Sequence, residues 1–299
     1  MNITLLSIFP NYFNATGLCQ AIEKHCGHTV TQFVSLHKPQ DFYHWPVHHR
    51  HCALHDMVSL KKSLSQSDLV IVCGAMVFLG WQTHSKLPAF KEYTYASLDD
   101  FWADIPDTAK TAMIVSDSAI LEQDWTDRIS RFDTVFAMPD LFDYVRHPNL
   151  YPALQVNEAF QWPTKPWPHR TIQIGHSPGN KEAKNRKGTR AIIKVMGELL
   201  RDGFRFQFSI LAGLSHEECV KAKQEMDIFI DQLQDPPQSP VGKGMKPFLG
   251  ALGKSGQEAM CNGCATITSG NLVSTEPYFP NPPVIIANTK AMLKYEIAN

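Results

Sequence analysis

The stretch Gly250-Ala251-Leu252-Gly253-Lys254-Ser255-Gly256-Gln257-Glu258-Ala259-Met260-Cys261-Asn262-Gly263-Cys264-Ala265-Thr266-Ile267-Thr268 decides how the rest of the chain is read. Its first third supplies three glycines and a serine, its middle a helix turn carrying Glu258, and its end a strand over 265–268, with Gly263 suited to the tight turn before it. Small residues feeding a helix N-terminus make a site for an anion, because free backbone amides and the helix dipole both face it. Gly253, Ser255 and Gly256 are the candidates to line that site. Glu258 lies about a turn further on, where its charge repels phosphate but its two oxygens suit the hydroxyls of a sugar on the same ligand.

A glycine loop followed by a helix with the run Glu258-Ala259-Met260, then Gly263 and a strand, resembles the donor-binding segment of retaining glycosyltransferases with the GT-B fold, family four in particular. The resemblance implies an α/β protein of two Rossmann-like domains facing across a cleft, with Glu258 holding the ribose hydroxyls of a nucleotide sugar. Many members carry a second glutamate where this chain has Gly250, although one subgroup has glycine there. A second match begins at Gly175-His176-Ser177, where the family has Gly-Arg, and at Lys187-Gly188, where it has Lys-Gly. In the family the Arg and the Lys clamp the donor diphosphate. His176 would be a weaker and pH-dependent cation in the Arg position, with Arg186 beside Lys187 to compensate. A lysine at a helix start is disfavoured by the dipole, which itself points to a ligand at Lys187. The order of motifs holds over residues 170–270; the first half resembles the acceptor domain more loosely, through Gly17, Asp68 and Ser116-Asp117. Asp117 is carried from that pair as a candidate catalytic residue beside His176 and Lys187.

At 299 residues, 43% of them hydrophobic, the chain has room for two domains with full cores. Its 28 Lys plus Arg against 29 Asp plus Glu leave a net charge of -1, which gives no general draw toward nucleic acid or an anionic membrane. The longest apolar run, 69–81, is too short to span a bilayer and is broken by Gly74 and Gly80. The N-terminal apolar residues follow no basic segment and read as a first strand. Seven scattered cysteines, an odd number, fit reduced thiols and a cytoplasmic protein.

The first half alternates expected strands at 3–9, 29–34, 68–73, 110–115 and 133–137 with a helix over 14–24. No Gly-x-Gly-x-x-Gly follows the first strand, which argues against a dinucleotide enzyme. His44, His48, His49, His51 and His55 have no metal-site spacing, and the lone Cys261-x-x-Cys264 reads as packing; no metal is expected. Three prolines and two tryptophans within 162–168 mark a boundary, dividing the chain into residues 1–165 for the acceptor and 166–299 for the donor. The second half then alternates again: a strand at 171–175, a helix at 189–201 with Ile192, Val195, Met196 and Leu199 on one face, a strand at 206–211, a capping box at Ser215-His216-Glu217-Glu218, and a strand at 228–230. Residues 235–247, with four prolines, form no regular element.

These readings converge on transfer of a sugar from a UDP- or GDP-linked donor to an unspecified acceptor, a glycan among the candidates. By resemblance the anomeric configuration is retained. No Asp-x-Asp stands in the sequence, and Lys187, a protonated His176 and the amides near Ser255 and Gly256 would take the place of a divalent ion, so no cofactor is implied beyond the donor itself. Two other classes remain open, a noncatalytic sugar-nucleotide-binding or partner protein and a nucleotide-sugar epimerase or hydrolase, since fold does not fix reaction.

Overall fold

The computed structural model describes residues 1–7, 15–34, 51–53, 57–74, 95, 98–115, 129–137, 145–153, 171–178, 187–233, 252–270 and 283–299. Contacts divide them into two compact α/β units, one with the described residues up to Ala153 and one with those from Thr171 on. The Pro-rich boundary at 162–168, the 235–247 segment and His44, His48, His49 and His55 lie outside the described residues.

The first unit is built on strands β1 (Asn2–Ser7), β2 (Thr29–Val34), β3 (His51–Ala53), β4 (Leu69–Cys73), β5 (Lys110–Val115), β6 (Thr134–Ala137) and β7 (Leu150–Pro152). They form one parallel sheet in the order β3-β2-β1-β4-β5-β6-β7. The five expected strands are all present; β3 and β7, three residues each, are too short to show a period in sequence. Side chains alternate across a strand, and a parallel sheet is covered on both faces, which requires apolar residues at successive positions. Accordingly Ile3, Leu5, Ile71, Cys73, Ala112 and Ile114 pack with Ala15 and Cys19 of helix α1 (Ala15–Ala21), while the alternate residues Leu6, Val70, Val72 and Met113 are buried as well. A π-helical turn, Ile22–Cys26, carries α1 on to Gly27, whose φ of 65° ends it. Helices α2 (Met57–Ser65) and α3 (Leu98–Ala103) complete the unit among the described residues. Asp68 stands at the amino end of β4, where its carboxylate accepts from the Asn2 amide at 2.7 Å. That is the edge away from the carboxyl ends where ligands collect in such sheets, and there Asp68 pins the start of β4 to β1.

The second unit contains β8 (Ile172–His176), β9 (Phe206–Ile210), β10 (Ile228–Ile230), β11 (Ala265–Thr268) and β12 (Val284–Ile286), parallel throughout, in the order β12-β11-β10-β8-β9. Its helices are α4 (Thr189–Arg201), α5 (His216–Gln224), α6 (Lys254–Cys261) and α7 (Lys290–Ala298). The expected face of α4, Ile192, Val195, Met196 and Leu199, packs on Ile174, Ile230 and Ile267 with Leu293 of α7. Phe229 points to the other face, against Met226, Ala259, Leu211 and Cys264. The capping box forms as expected, the Ser215 hydroxyl accepting from the Glu218 amide and the Glu218 carboxylate from the Ser215 amide. Cys264 donates toward the carbonyls of Lys223 and Met226, a packing role for the second cysteine of its pair. From β8 the chain steps outward to β9, then returns to the other side of β8 with β10 and moves away through β11 and β12. The direction of winding therefore reverses between β8 and β10, and the carboxyl ends of these two strands are where such a sheet opens a crevice for a ligand.

Candidate functional site

His176 ends β8 and is fully buried. Its Nδ1 lies 2.7 Å from the Ile230 carbonyl, which can only accept, so Nδ1 carries the hydrogen and Nε2 accepts from the Thr189 hydroxyl at 2.9 Å. Burial pushes the imidazole pKa down to about 4; the Ile230 hydrogen bond and Asp231 oppose this, and Lys187 adds to it. At neutral pH His176 is an uncharged ring tying β8 to β10 and to the start of α4. The expected pH-dependent cation is thus absent from this position near neutrality, because the ring is desolvated and both nitrogens are committed within the fold. Gly175 precedes it where a Cβ would come within 2.8 Å of Met226 Cγ, so packing against Met226 accounts for the missing side chain.

A stability consequence follows with a definite sign. The ring titrates near 6.5 in the unfolded chain and about 4 in the fold, so its contribution is complete above pH 6.5 and is lost as pH falls toward 4. A shift of that size corresponds to about 3 kcal/mol. Hydrogen exchange of the β8 and β10 amides should report the loss in the natural protein, and the slope should flatten in His176→Asn, which keeps a donor for the Ile230 carbonyl. Equal slopes in both proteins would assign the acid sensitivity to other groups.

Lys187 and Gly188 lead into α4, and Gly188 is its N-cap at φ 68°. The Lys187 side chain is 22% exposed, and its ammonium lies 2.7 Å from Oδ1 of Asp231, the residue just past β10. The other oxygen, Oδ2, accepts from the amide of Gly253, the N-cap of α6, at 2.6 Å. Asp231 is fully buried. A carboxylate of the protein thus links two of the sequence stretches singled out above, Lys187-Gly188 and the glycine loop. The Lys187 ammonium thus pairs with a buried group, so that removing it would strand a carboxylate.

Glu258 sits one turn into α6, with 5% of its side chain exposed. Oε1 accepts from His216 Nε2 at 2.7 Å and Oε2 from Lys223 Nζ at 2.5 Å. Burial by itself raises the carboxyl pKa, but the His216 and Lys223 hydrogen bonds and charges outweigh it and hold it at about 2. Lys223 is itself buried, its ammonium 5.3 Å from the Phe229 ring centroid. Half-buried Lys254, the first residue of α6, has its pKa lowered to about 8, chiefly by burial, with Glu258 opposing and Lys223 reinforcing. Ser255 and Gly256 follow it in the first turn. Ser177 is buried at the exit of β8, within 3.9 Å of the Cys219 thiol.

Of the residues expected at the site, Gly175, His176, Ser177, Lys187, Gly188, Gly253, Ser255, Gly256 and Glu258 all belong to the second unit. Asp117, Arg186 and Gly250 lie outside the described residues. Sequence reasoning missed Asp231, Lys223, Lys254 and the role of His216. No group of three or more His, Cys, Asp or Glu placed to hold a metal occurs among the described residues. Nor is any helix among them long and apolar enough to cross a membrane.

No family model matches the chain, and no curated protein matches it. Several solved structures are similar over nearly the whole length, two of them as follows. An α-glucosyltransferase in complex with UDP-glucose and DNA containing an abasic site is 11% identical, with 99% of this chain and 88% of that one covered and a TM-score of 0.56. Sucrose-phosphate synthase from Thermosynechococcus elongatus is 12% identical, with 100% and 89% covered and a TM-score of 0.56. The likeness is one of fold. With two parallel-sheet α/β units, the chain has the two-domain Rossmann-like fold of GT-B type.

Proposed function

We propose that the protein is a glycosyltransferase moving a sugar from a UDP- or GDP-linked donor to an acceptor, with retention and without a metal. The observation that carries the reading is local. Lys187-Gly188 and the start of α6, far apart in sequence, are joined through Asp231, which follows the Ile230 carbonyl that holds His176 at the end of β8, at the point where the second sheet reverses its winding. In this reading the diphosphate approaches Lys187, whose side chain is partly exposed, and the first turn of α6. Each Glu258 oxygen has a lone pair beyond the one taken by His216 or Lys223, and these accept the ribose hydroxyls. Acceptor contacts and Asp117 are assigned to the first unit on the resemblance. The chain's net charge of -1 is the ground for proposing no nucleic-acid partner.

A second reading, a noncatalytic sugar-nucleotide-binding protein, is favoured by two observations: His176 is neutral and Lys187 is paired, so little positive charge remains to stabilise a departing diphosphate. Incubation with a panel of UDP- and GDP-sugars separates the readings. Free nucleotide with a glycosylated acceptor supports transfer, binding with no turnover supports the second reading, and an altered sugar on an intact nucleotide replaces both with epimerisation. Within either binding reading, a 2′-deoxy nucleotide should bind about tenfold more weakly than its ribo counterpart, the size of one charge-assisted contact. That preference should shrink in Glu258→Gln. Equal discrimination by both proteins would leave Glu258 a purely structural residue.

A further inference from the structure

We infer that Asp231 is a specificity-determining residue that restricts how much phosphate charge this site accepts. Its carboxylate takes one amide at the start of α6, that of Gly253, and pairs with the Lys187 ammonium, two donors that an incoming anion would otherwise use. The geometry is complete within the chain. Oδ2 accepts from the Gly253 amide at 2.6 Å, Oδ1 accepts from the Lys187 ammonium at 2.7 Å, and the side chain is fully buried. The glycines of the loop fit around this group. A Cβ at Gly253 would come within 3.0 Å of Oδ2, and one at Gly256 within 2.7 Å of Leu252 Cδ1 and 2.9 Å of Asp231 Cγ. The space beside Gly253 is therefore taken by the protein's own carboxylate, and that beside Gly256 by Asp231 together with Leu252.

The electrostatic result is that the two features most suited to phosphate, a helix N-terminus and a lysine, are both offset by one negative charge. The Lys187 side chain is partly exposed and that of Asp231 is not, so Asp231 acts on a ligand through Lys187 and through its own field. It is a positioning residue in that sense. The nature of the natural ligand rests on the nucleotide reading above; the effect of Asp231 on anions does not.

Asp231→Asn is nearly isosteric and keeps an acceptor for the Gly253 amide, but it removes the charge and releases Lys187. Calorimetry with inorganic pyrophosphate and with UDP, on the natural protein and the variant, reads the consequence. Both anions should bind the variant roughly tenfold more tightly, the magnitude of one charge-assisted contact regained. A merely structural role would not produce a gain. If pyrophosphate tightens while UDP and GDP bind neither protein, the inference stands and the nucleotide reading falls. If the natural protein binds UDP and a folded Asp231→Asn binds it equally or more weakly, the inference is overturned and the nucleotide reading survives. No binding of either anion by either protein overturns it too. A variant that does not fold leaves a second measurement on the natural protein, the Gly253 amide resonance during a pyrophosphate titration. It should stay in place because Asp231 retains that hydrogen; movement matching that of ligand-contacting amides would mean that phosphate displaces the carboxylate, and would overturn the inference.

Discussion

Glu258→Ala is expected to lower the stability of the second unit by about 3–5 kcal/mol, the cost of leaving a buried ion without its partner. The ion that loses this carboxylate is Lys223, 1% exposed, whose ammonium lies 2.5 Å from Glu258 Oε2 and 5.3 Å from the Phe229 ring centroid. His216 loses its acceptor at the same time, and with it goes the polar link from α5 to α6. The cost should therefore come mainly from the stranded charge and not from lost attraction. That distinction can be measured, because replacing both members by apolar residues of similar volume removes the stranded charge. Glu258→Leu with Lys223→Met should recover most of the loss that Glu258→Ala shows in denaturant-dependent hydrogen exchange of the β10 and β11 amides. A Glu258→Ala loss below about 1 kcal/mol, the level of an exposed pair, would show that water reaches the cluster and that the carboxylate is free to serve a ligand alone.

Acid adds a second view of the same group. Its folded pKa of about 2 lies below the ordinary 4.5, so its contribution is complete above pH 4.5 and is lost as pH falls toward 2. The His176 contribution disappears first, between 6.5 and 4, so the unit should lose stability in two successive steps on acidification.

What could be read from sequence was whatever has a local cause. The buried face of α4 follows from apolar residues three and four apart, and the α5 start from a capping box four residues long. The strands of both sheets came from apolar runs, except β3, β7 and β12, which were not expected from sequence. The site residues were legible as positions but not as charges. Lys187 and His176 stand where cations were expected, yet one is paired and the other neutral for reasons distant in the chain. The group that pairs Lys187 is 44 residues away, and the amide that fixes that group is 22 residues beyond it. An aspartate after a short apolar strand is a common helix or turn residue; only its neighbours in space make Asp231 distinctive. His216 and Lys223 carried a fainter signal. Seven residues apart, they share one face of α5, and two hydrogen-bond donors on one helix facing a glutamate on the next is a pattern sequence can suggest without proving the contact.

Gly188→Ala is expected to cost the second unit more than about 4 kcal/mol, a size confined to breaks at special positions. Two causes are superposed there. With φ at 68°, any side chain meets the left-handed penalty, about 1–2 kcal/mol for an ordinary residue. Independently, a Cβ at Gly188 would lie 1.5 Å from the Leu233 carbonyl oxygen, inside any possible contact, and the atom struck is backbone. Relief would have to move one chain away from the other, at the expense of the 2.9 Å bond from the Leu233 amide to the Lys187 carbonyl. The two causes can be told apart, because asparagine tolerates the left-handed region far better than alanine but carries the same Cβ. If the clash dominates, Gly188→Asn and Gly188→Ala should be nearly equally destabilised in hydrogen exchange of the α4 amides. If Gly188→Asn retains most of the stability, the carbonyl is able to move and the glycine is needed for its dihedral alone. In the first case, close approach to Leu233 explains the Gly that follows Lys187 without any ligand, and the evidence for a phosphate clamp at this turn rests on the Lys187 ammonium and on how tightly Asp231 holds it.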